Sequence, residues 1–261
     1  GIRPPIRHDE KFGEGTDSLQ VDKERNLLWL LTNNEDGDRR DSGHAPTSTK
    51  QYVFDRVLWK DSSQEDAWLH GGESVIKAAM QGYAGCVMCY GQTGAGKTYT
   101  LGNAIAGQEG IMVRAFNYIF DAAAQQREVT YTINLAYVQI YLDGLSDLLD
   151  PSATVELRED PKEGVYVSGA KWRPVRSTAD AMEVLASGDE NRRTAFTKMN
   201  ADSSRSHAVL IMNICCTGGL KTLNGRLFLV DLAGSERVKK SGAEGQSFDE
   251  AKAINQSLTI L

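Results

Sequence analysis

Gly91-Gln92-Thr93-Gly94-Ala95-Gly96-Lys97-Thr98 is the stretch on which the fold turns. It satisfies G-x-x-x-x-G-K-[ST] completely. The glycines permit positive φ angles and let backbone N–H groups approach an anion closely. A helix starting at the loop would turn its positive end toward the same anion. Lys97 supplies charge for β- and γ-phosphates, and the Thr98 hydroxyl is a ligand type suited to Mg²⁺. A plain glycine turn between strand and helix has no use for the Lys-Thr pair, so the stretch reads as a phosphate-binding loop.

Its surroundings are those such a loop requires. The apolar run Cys86–Tyr90 precedes it and reads as a buried strand, reached from a helix over Ser63–Gln81. Downstream, Ile111, Ala115, Ile119 and Ala123 recur at helical spacing within a helix over Ile111–Gln126. Val129–Tyr141 is rich in Thr, Tyr, Val and Ile and predicts a strand. Ser177-Thr178-Ala179-Asp180 forms a capping box, opening a helix expected to run to about Ser187. Ala208–Cys216 and Arg226–Asp231 are apolar runs of strand length, and Asp249–Leu261 reads as helix. Upstream, Arg25–Leu31 and the alternating Tyr52–Leu58 predict strands on either side of a polar segment, Asn33–Lys50, expected to be a flexible loop. Helices and strands taking turns predict an α/β domain around a largely central sheet.

The bulk composition narrows the class. The 261 residues are 41% hydrophobic and 25% charged, enough to bury a sizeable core. No apolar run reaches the roughly 18–20 residues a membrane span needs, and no signal peptide opens the chain. Four cysteines in a chain this long do not make a disulfide framework. Cys86 and Cys89 are spaced as C-x-x-C, but residues three apart on a strand face opposite ways, so all four are expected in the core rather than on a metal. The net charge of −6 argues against broad nucleic-acid binding, while leaving room for a local basic patch.

Two further segments suit a nucleotide sensor. Leu227–Val230 delivers Asp231-Leu232-Ala233-Gly234, an acid at a strand end followed by a glycine whose N–H can reach a γ-phosphate. Asn200–His207 (NADSSRSH) gathers hydroxyls for metal or water together with Arg205, whose natural partner is Glu236.

GQTGAGKTYT, NADSSRSH and VDLAGSE, in this order, resemble the P-loop, switch I and switch II of the kinesin motor family. The likeness extends to Tyr52–Val57, Ser63–Glu65, Gly110-Ile111, Tyr137–Tyr141, Asp147–Leu149, Gly242–Gly245 and Ile254–Leu258, which is nearly the whole chain. The resemblance implies a P-loop NTPase-type central mixed β-sheet flanked by helices, in a single motor domain over 1–261 that stops within the helix after switch II.

It also implies residue roles. Arg3, Pro4 and Tyr99 would line the adenine, and Gln92 to Thr98 would hold the phosphates of ATP or ADP. Thr98 and Ser206 would ligate Mg²⁺, with Asp231 acting through metal-bound water. Ser204 and Gly234 would place the lytic water and sense the γ-phosphate, and Arg205–Glu236 would form a gate. The implied partner is the microtubule, an acidic surface met by Lys162, Arg237, Lys239, Lys240 and Lys252. The implied function is a microtubule-stimulated motor ATPase, cytoplasmic and cytoskeletal, without membrane insertion and with its oligomeric state set outside this chain. A kinesin-like module that holds microtubules without turnover, and an unrelated P-loop ATPase, are the other readings. Intact Lys97, Thr98, Arg205, Asp231 and Glu236 weigh against the first of these.

Overall fold

The computed structural model describes residues 19–32, 48–126, 128–142, 144–161, 164–199, 205–218 and 221–236. Arg3, Pro4, Lys162, Ser204, Arg237, Lys239, Lys240 and Lys252 lie outside them, as does the expected helix over Asp249–Leu261. The chain forms two compact units, residues 1–70 and 71–261.

In the first unit β1 (Leu19–Asp22), β2 (Leu27–Thr32) and β3 (Ser48–Val53) make an antiparallel sheet in that order. The β1–β2 turn is held by the Asp22 carboxylate, which accepts the N–H groups of Glu24 and Arg25, both at 3.0 Å. Asn26 takes the left-handed region (φ 55°), where asparagine is among the few tolerant side chains. The expected strand over Tyr52–Leu58 ends early, at Val53. Its ladder runs out opposite Leu27, the first residue of β2, and the next N–H, that of Phe54, goes to the Asn26 carbonyl at 3.1 Å. At its other end β3 takes in Ser48–Lys50, placed above in the polar segment, because β2 offers Thr32, Leu31 and Leu30 as partners.

The single helix expected over Ser63–Gln81 is two: α1 (Gln64–Gly71) and α2 (Glu73–Met80). Ser63 and Asp66 cap α1 reciprocally, the Ser63 N–H reaching the carboxylate at 2.8 Å and the Asp66 N–H the Ser63 hydroxyl at 3.1 Å. The break falls at Gly71-Gly72, the two residues with no side chain to pack and the highest entropic cost in a helix.

The second unit is built on a mixed sheet in the order β4-β11-β10-β5-β6, with β9 also paired to β5. Its strands are β4 (Ala84–Cys89), β5 (Thr130–Tyr141), β6 (Gly144–Asp147), β9 (Arg173–Val175), β10 (Ser206–Thr217) and β11 (Leu223–Asp231). Among the described residues only the β4–β11 pair of this sheet is parallel. Helices α2, α3 (Lys97–Gly102), α4 (Ile111–Gln125) and α5 (Thr178–Met199) accompany this sheet, and β7 (Glu156–Asp160) with β8 (Gly164–Ser168) forms a separate hairpin. Leu135, Leu210, Met212, Ile214, Leu227 and Leu229 are all fully buried, as are Ile76 of α2 and Phe116 and Ile119 of α4. Burying each such side chain contributes about 1.5–3 kcal/mol.

Three sequence expectations change here. β4 is a strand but not a buried one: Val87 is enclosed while Met88 is 44% exposed, since β4 pairs on one side only among the described residues. The cysteines are not all core, because Cys86 is exposed and Cys216 alone is buried. Finally, α5 does not stop near Ser187. Gly188 lies against the Tyr137 ring, where an added Cβ would sit 2.2 Å from Cδ1, and the Tyr137 hydroxyl donates to Asp189 at 2.9 Å. That tertiary contact carries the helix through its weakest residue.

Candidate nucleotide site

Register builds the site. Asp231 pairs with Cys89 on one side and Ala208 on the other, and Ala208 pairs with Gln139. The exit of β4, the end of β11 and the start of β10 therefore share one edge of the sheet. The 91–98 loop, Ser206-His207 and Asp231–Glu236 are delivered there.

From Cys89 the chain enters the 91–98 loop. Gly94 (φ 78°) and Gly96 (φ 93°) occupy the left-handed region, which is what the pattern needs glycine for. Gly96 caps α3, and the Thr100 N–H reaches its carbonyl at 2.8 Å. The Lys97 ammonium folds back over the loop, donating to the Gly91 carbonyl at 2.9 Å and the Gln92 carbonyl at 3.0 Å. A charge-assisted bond to phosphate is stronger than either of these, so an arriving anion would draw the ammonium onto itself.

The Thr98 hydroxyl donates to Asp231 Oδ2 at 2.7 Å, joining residues 133 apart in sequence. The other carboxylate oxygen, Asp231 Oδ1, is buried and has no hydrogen-bond partner in the structure. A buried carboxylate oxygen without a donor is costly. A water held by a cation beside Thr98 would supply the missing donor. Ser206 is fully buried at the start of β10. Its hydroxyl and its carbonyl both accept from Arg192 Nη2 at 3.1 Å, and Arg192 Nη1 lies 4.0 Å from Asp231 Oδ2. Two hydroxyls and a carboxylate are hard oxygen donors, which fit a hydrated Mg²⁺ better than zinc. Half-buried Cys89 stays a thiol: desolvation first, and then the Asp231 carboxylate, push it up to about 11.

After β11 the chain stays on the loop. The Leu232 N–H reaches the Cys89 carbonyl at 3.3 Å and the Ser235 N–H the Gly91 carbonyl at 3.1 Å. The Ala233 N–H donates to His207 Nδ1 at 3.1 Å, so that nitrogen carries no proton. Burial first, and then the Arg192 charge, hold His207 below the usual histidine value. Glu236 accepts the Thr93 N–H at 2.9 Å and the Thr93 hydroxyl at 2.8 Å. Burial opposes its ionisation, yet these bonds, aided by its own N–H and the Lys97 charge, outweigh that and hold the carboxyl below the ordinary range. An added Cβ at Gly234 would stand 2.3 Å from Glu236 Oε2 and 2.4 Å from Thr93 Oγ1, so only glycine fits under that pair.

Gln92 to Tyr99, Ser206, Asp231, Gly234 and Glu236 thus converge, and half-buried Arg205 adjoins Ser206 at the head of β10. Sequence reading missed Arg192 and the His207–Ala233 bond. Arg192 carried no signal, being one of two arginines on a long helix. His207 was quoted within its motif, but nothing in the chain said which backbone group it would meet.

A family model for the kinesin motor domain matches residues 2–261. The chain belongs to the kinesin motor domain family. Kinesin heavy chain of Drosophila melanogaster is 42% identical over 218 residues, which is 81% of this chain and 22% of that protein. Kinesin-like protein 3 of Schizosaccharomyces pombe is 42% identical over 226 residues, 84% and 41% respectively. Human kinesin-1 heavy chain is 40% identical over 223 residues, 82% of this chain and 23% of that one. The kinesin domain described here therefore spans well under half the length of these relatives. A solved structure described as a fast kinesin superimposes with a TM-score of 0.83 at 33% identity, covering 97% of this chain and 70% of that one. The expected family and the mixed central sheet flanked by helices are borne out.

Proposed function

We propose that this domain binds ATP with Mg²⁺ at the 91–98 loop and hydrolyses it, and that the whole protein couples the cycle to microtubule binding and movement. The observation that carries the proposal is the closed set of contacts Thr98–Asp231 and Thr93–Glu236, which ties the phosphate loop to both ends of the Asp231–Glu236 segment. A phosphate sensor needs that connection. The similarity to a fast kinesin whose ATPase mechanism and microtubule interactions are described supports the same reading.

In this reading Lys97 neutralises β- and γ-phosphate charge, and Gln92 to Ala95 present backbone N–H groups. Thr98 and Ser206 hold Mg²⁺ directly and Asp231 through water; the cation supplies charge neutralisation on the phosphate oxygens. Ser204 and the Gly234 N–H place a water in line with the γ-phosphorus. Its attack breaks the bond to the β–γ bridging oxygen, releasing ADP and phosphate. Tyr99, with Arg3 and Pro4, holds the adenine. In the Arg205–Glu236 gate one carboxylate serves both partners, since its two oxygens have acceptor capacity for Arg205 beside the two bonds from Thr93. Lys162, Arg237, Lys239, Lys240 and Lys252 meet the acidic microtubule, which gives a cytoskeletal location. No described helix is long and apolar enough to cross a membrane.

The test is steady-state ATP hydrolysis by the complete protein with and without microtubules, alongside Lys97→Ala. Stimulated turnover that Lys97→Ala abolishes is expected. Microtubule binding without turnover would replace the motor by a static binding module.

A further inference from the structure

The connection from α3 to α4, residues 103–110, has no part in the reading above, yet it is tightly built. The Gly110 N–H closes it onto the Asn103 carbonyl at 2.8 Å, and the Gln108 N–H reaches the Ile105 carbonyl at 2.9 Å. The Asn103 amide donates to the Gln108 carbonyl. Arg114 Nε donates to the Glu109 carbonyl at 2.8 Å, with Arg114 Nη2 3.5 Å from the Glu109 carboxylate. At the root, a Cβ on Gly110 would come within 2.8 Å of the Leu101 carbonyl group, and Leu101 is itself buried. So many short-range bonds fix the loop against α3, and with it the backbone that carries Gln108.

Outward from this frame, Gln108 Oε1 accepts the Tyr99 hydroxyl at 2.8 Å. Tyr99 follows Lys97 by two residues and is 49% exposed. An exposed tyrosine ring ordinarily samples several rotamers, and a ligand that stacks on it must freeze one. A hydroxyl anchored to a braced loop removes part of that cost beforehand.

We propose that Gln108 is a positioning residue for recognition of the nucleotide base, presetting the Tyr99 ring through its hydroxyl. The proposal rests on the reading of Tyr99 as an adenine contact. It excludes a merely structural role for Gln108, under which the phosphate loop would loosen together with the 103–110 loop.

The experiment compares equilibrium binding of ADP and of inorganic pyrophosphate, both with Mg²⁺, to the complete protein by calorimetry. Gln108→Leu removes the acceptor, and Tyr99→Phe removes the donor while keeping the ring. Each is expected to weaken ADP binding by about threefold to tenfold, the scale of one solvent-accessible hydrogen bond, and to leave pyrophosphate binding unchanged. The double variant should lose no more than either single one, and Gln108→Glu, which keeps an acceptor oxygen, should restore ADP binding. Should Gln108→Leu fail to fold, Tyr99→Phe carries the same test. Unchanged ADP affinity in the single variants, or parallel weakening of ADP and pyrophosphate, overturns the proposal. Tyr99→Ala separates the two layers: ADP binding unchanged there sinks the base reading and this proposal with it, whereas ADP binding weakened there but not in Tyr99→Phe or Gln108→Leu sinks this proposal alone.

Discussion

Glu236 and Thr93 stand 143 positions apart and share two hydrogen bonds through one carboxylate and one residue's N–H and hydroxyl. Because Arg205 is the proposed partner in the closed state, Glu236 variants separate binding from turnover. Glu236→Ala should leave ATP affinity within a few fold and lower steady-state hydrolysis by about 10²-fold or more, the scale of a positioned proton-transfer or water-orienting group. Undiminished turnover in that variant would remove the gate. Gly234→Ala makes a companion prediction: a methyl 2.3 Å from Glu236 Oε2 and 2.4 Å from Thr93 Oγ1 must part that pair. Hydrolysis should fall while the unfolding midpoint moves little, since the residues displaced are polar ones near the surface; a collapse in stability instead would mean that the pair holds the fold together. Residue identities at this scale were largely legible in the chain, since Lys97, Thr98, Asp231 and Glu236 each have a chemistry that few other side chains supply. Their pairings were less so: Thr98 and Asp231 were expected around one cation, not bonded to each other. Thr98 on Asp231, Glu236 on Thr93, Arg192 on Ser206 and Tyr99 on Gln108 depend on loop paths that no spacing encodes.

Helix α5 shows what element-level reading misses. Its capping box was plain in sequence, and the Asp180 N–H does reach the Ser177 hydroxyl at 3.1 Å. Its far end was misjudged by three turns because Ser187-Gly188 carries a local stop signal that the Tyr137 ring overrides. Gly188→Ala poses two opposed effects. Helix propensity alone favours alanine by about 1 kcal/mol. The clash with a ring that is 4% exposed and tied to Asp189 opposes it, and overpacking of this kind costs about 1–3 kcal/mol. Net destabilisation of about 1 kcal/mol is expected in urea unfolding. In a Tyr137→Ala background the sign should reverse, and alanine stabilising both backgrounds would refute the packing argument. The same logic explains the other boundaries. The helix pair broke at Gly71-Gly72 because no side chain there had a partner to find, and β3 ran past its predicted start because β2 supplied a ladder. Strand runs such as Val129–Tyr141 were legible because they are dense in Thr, Tyr, Val and Ile, whose side chains favour the pleated backbone.

For the whole molecule the decisive quantity is charge, and here the sign of one measurement separates two pictures. The chain carries 29 Lys and Arg against 35 Asp and Glu, a net −6, and its proposed partner is acidic. If net charge governed the encounter, the two surfaces would repel. Salt, whose screening length falls to about 10 Å at 0.1 M, would then strengthen association. If local cations govern it, each makes a short-range contact with the acidic surface, while screening weakens the repulsion from carboxylates farther from that surface. Salt would then weaken association, with a slope that reports how many cations take part. The local picture follows from Arg237, Lys239 and Lys240 standing within four positions of one another directly after Glu236, so that the switch and its basic cluster share one segment. Co-sedimentation of the full-length protein with microtubules should therefore weaken steadily between low and physiological salt. Lys239→Gln with Lys240→Gln should both lower the affinity and flatten that salt slope, because the contacts that salt screens are the ones removed. An affinity that rises with salt would show that these lysines are a solvated surface like any other, and would move the microtubule contact to residues elsewhere in the protein.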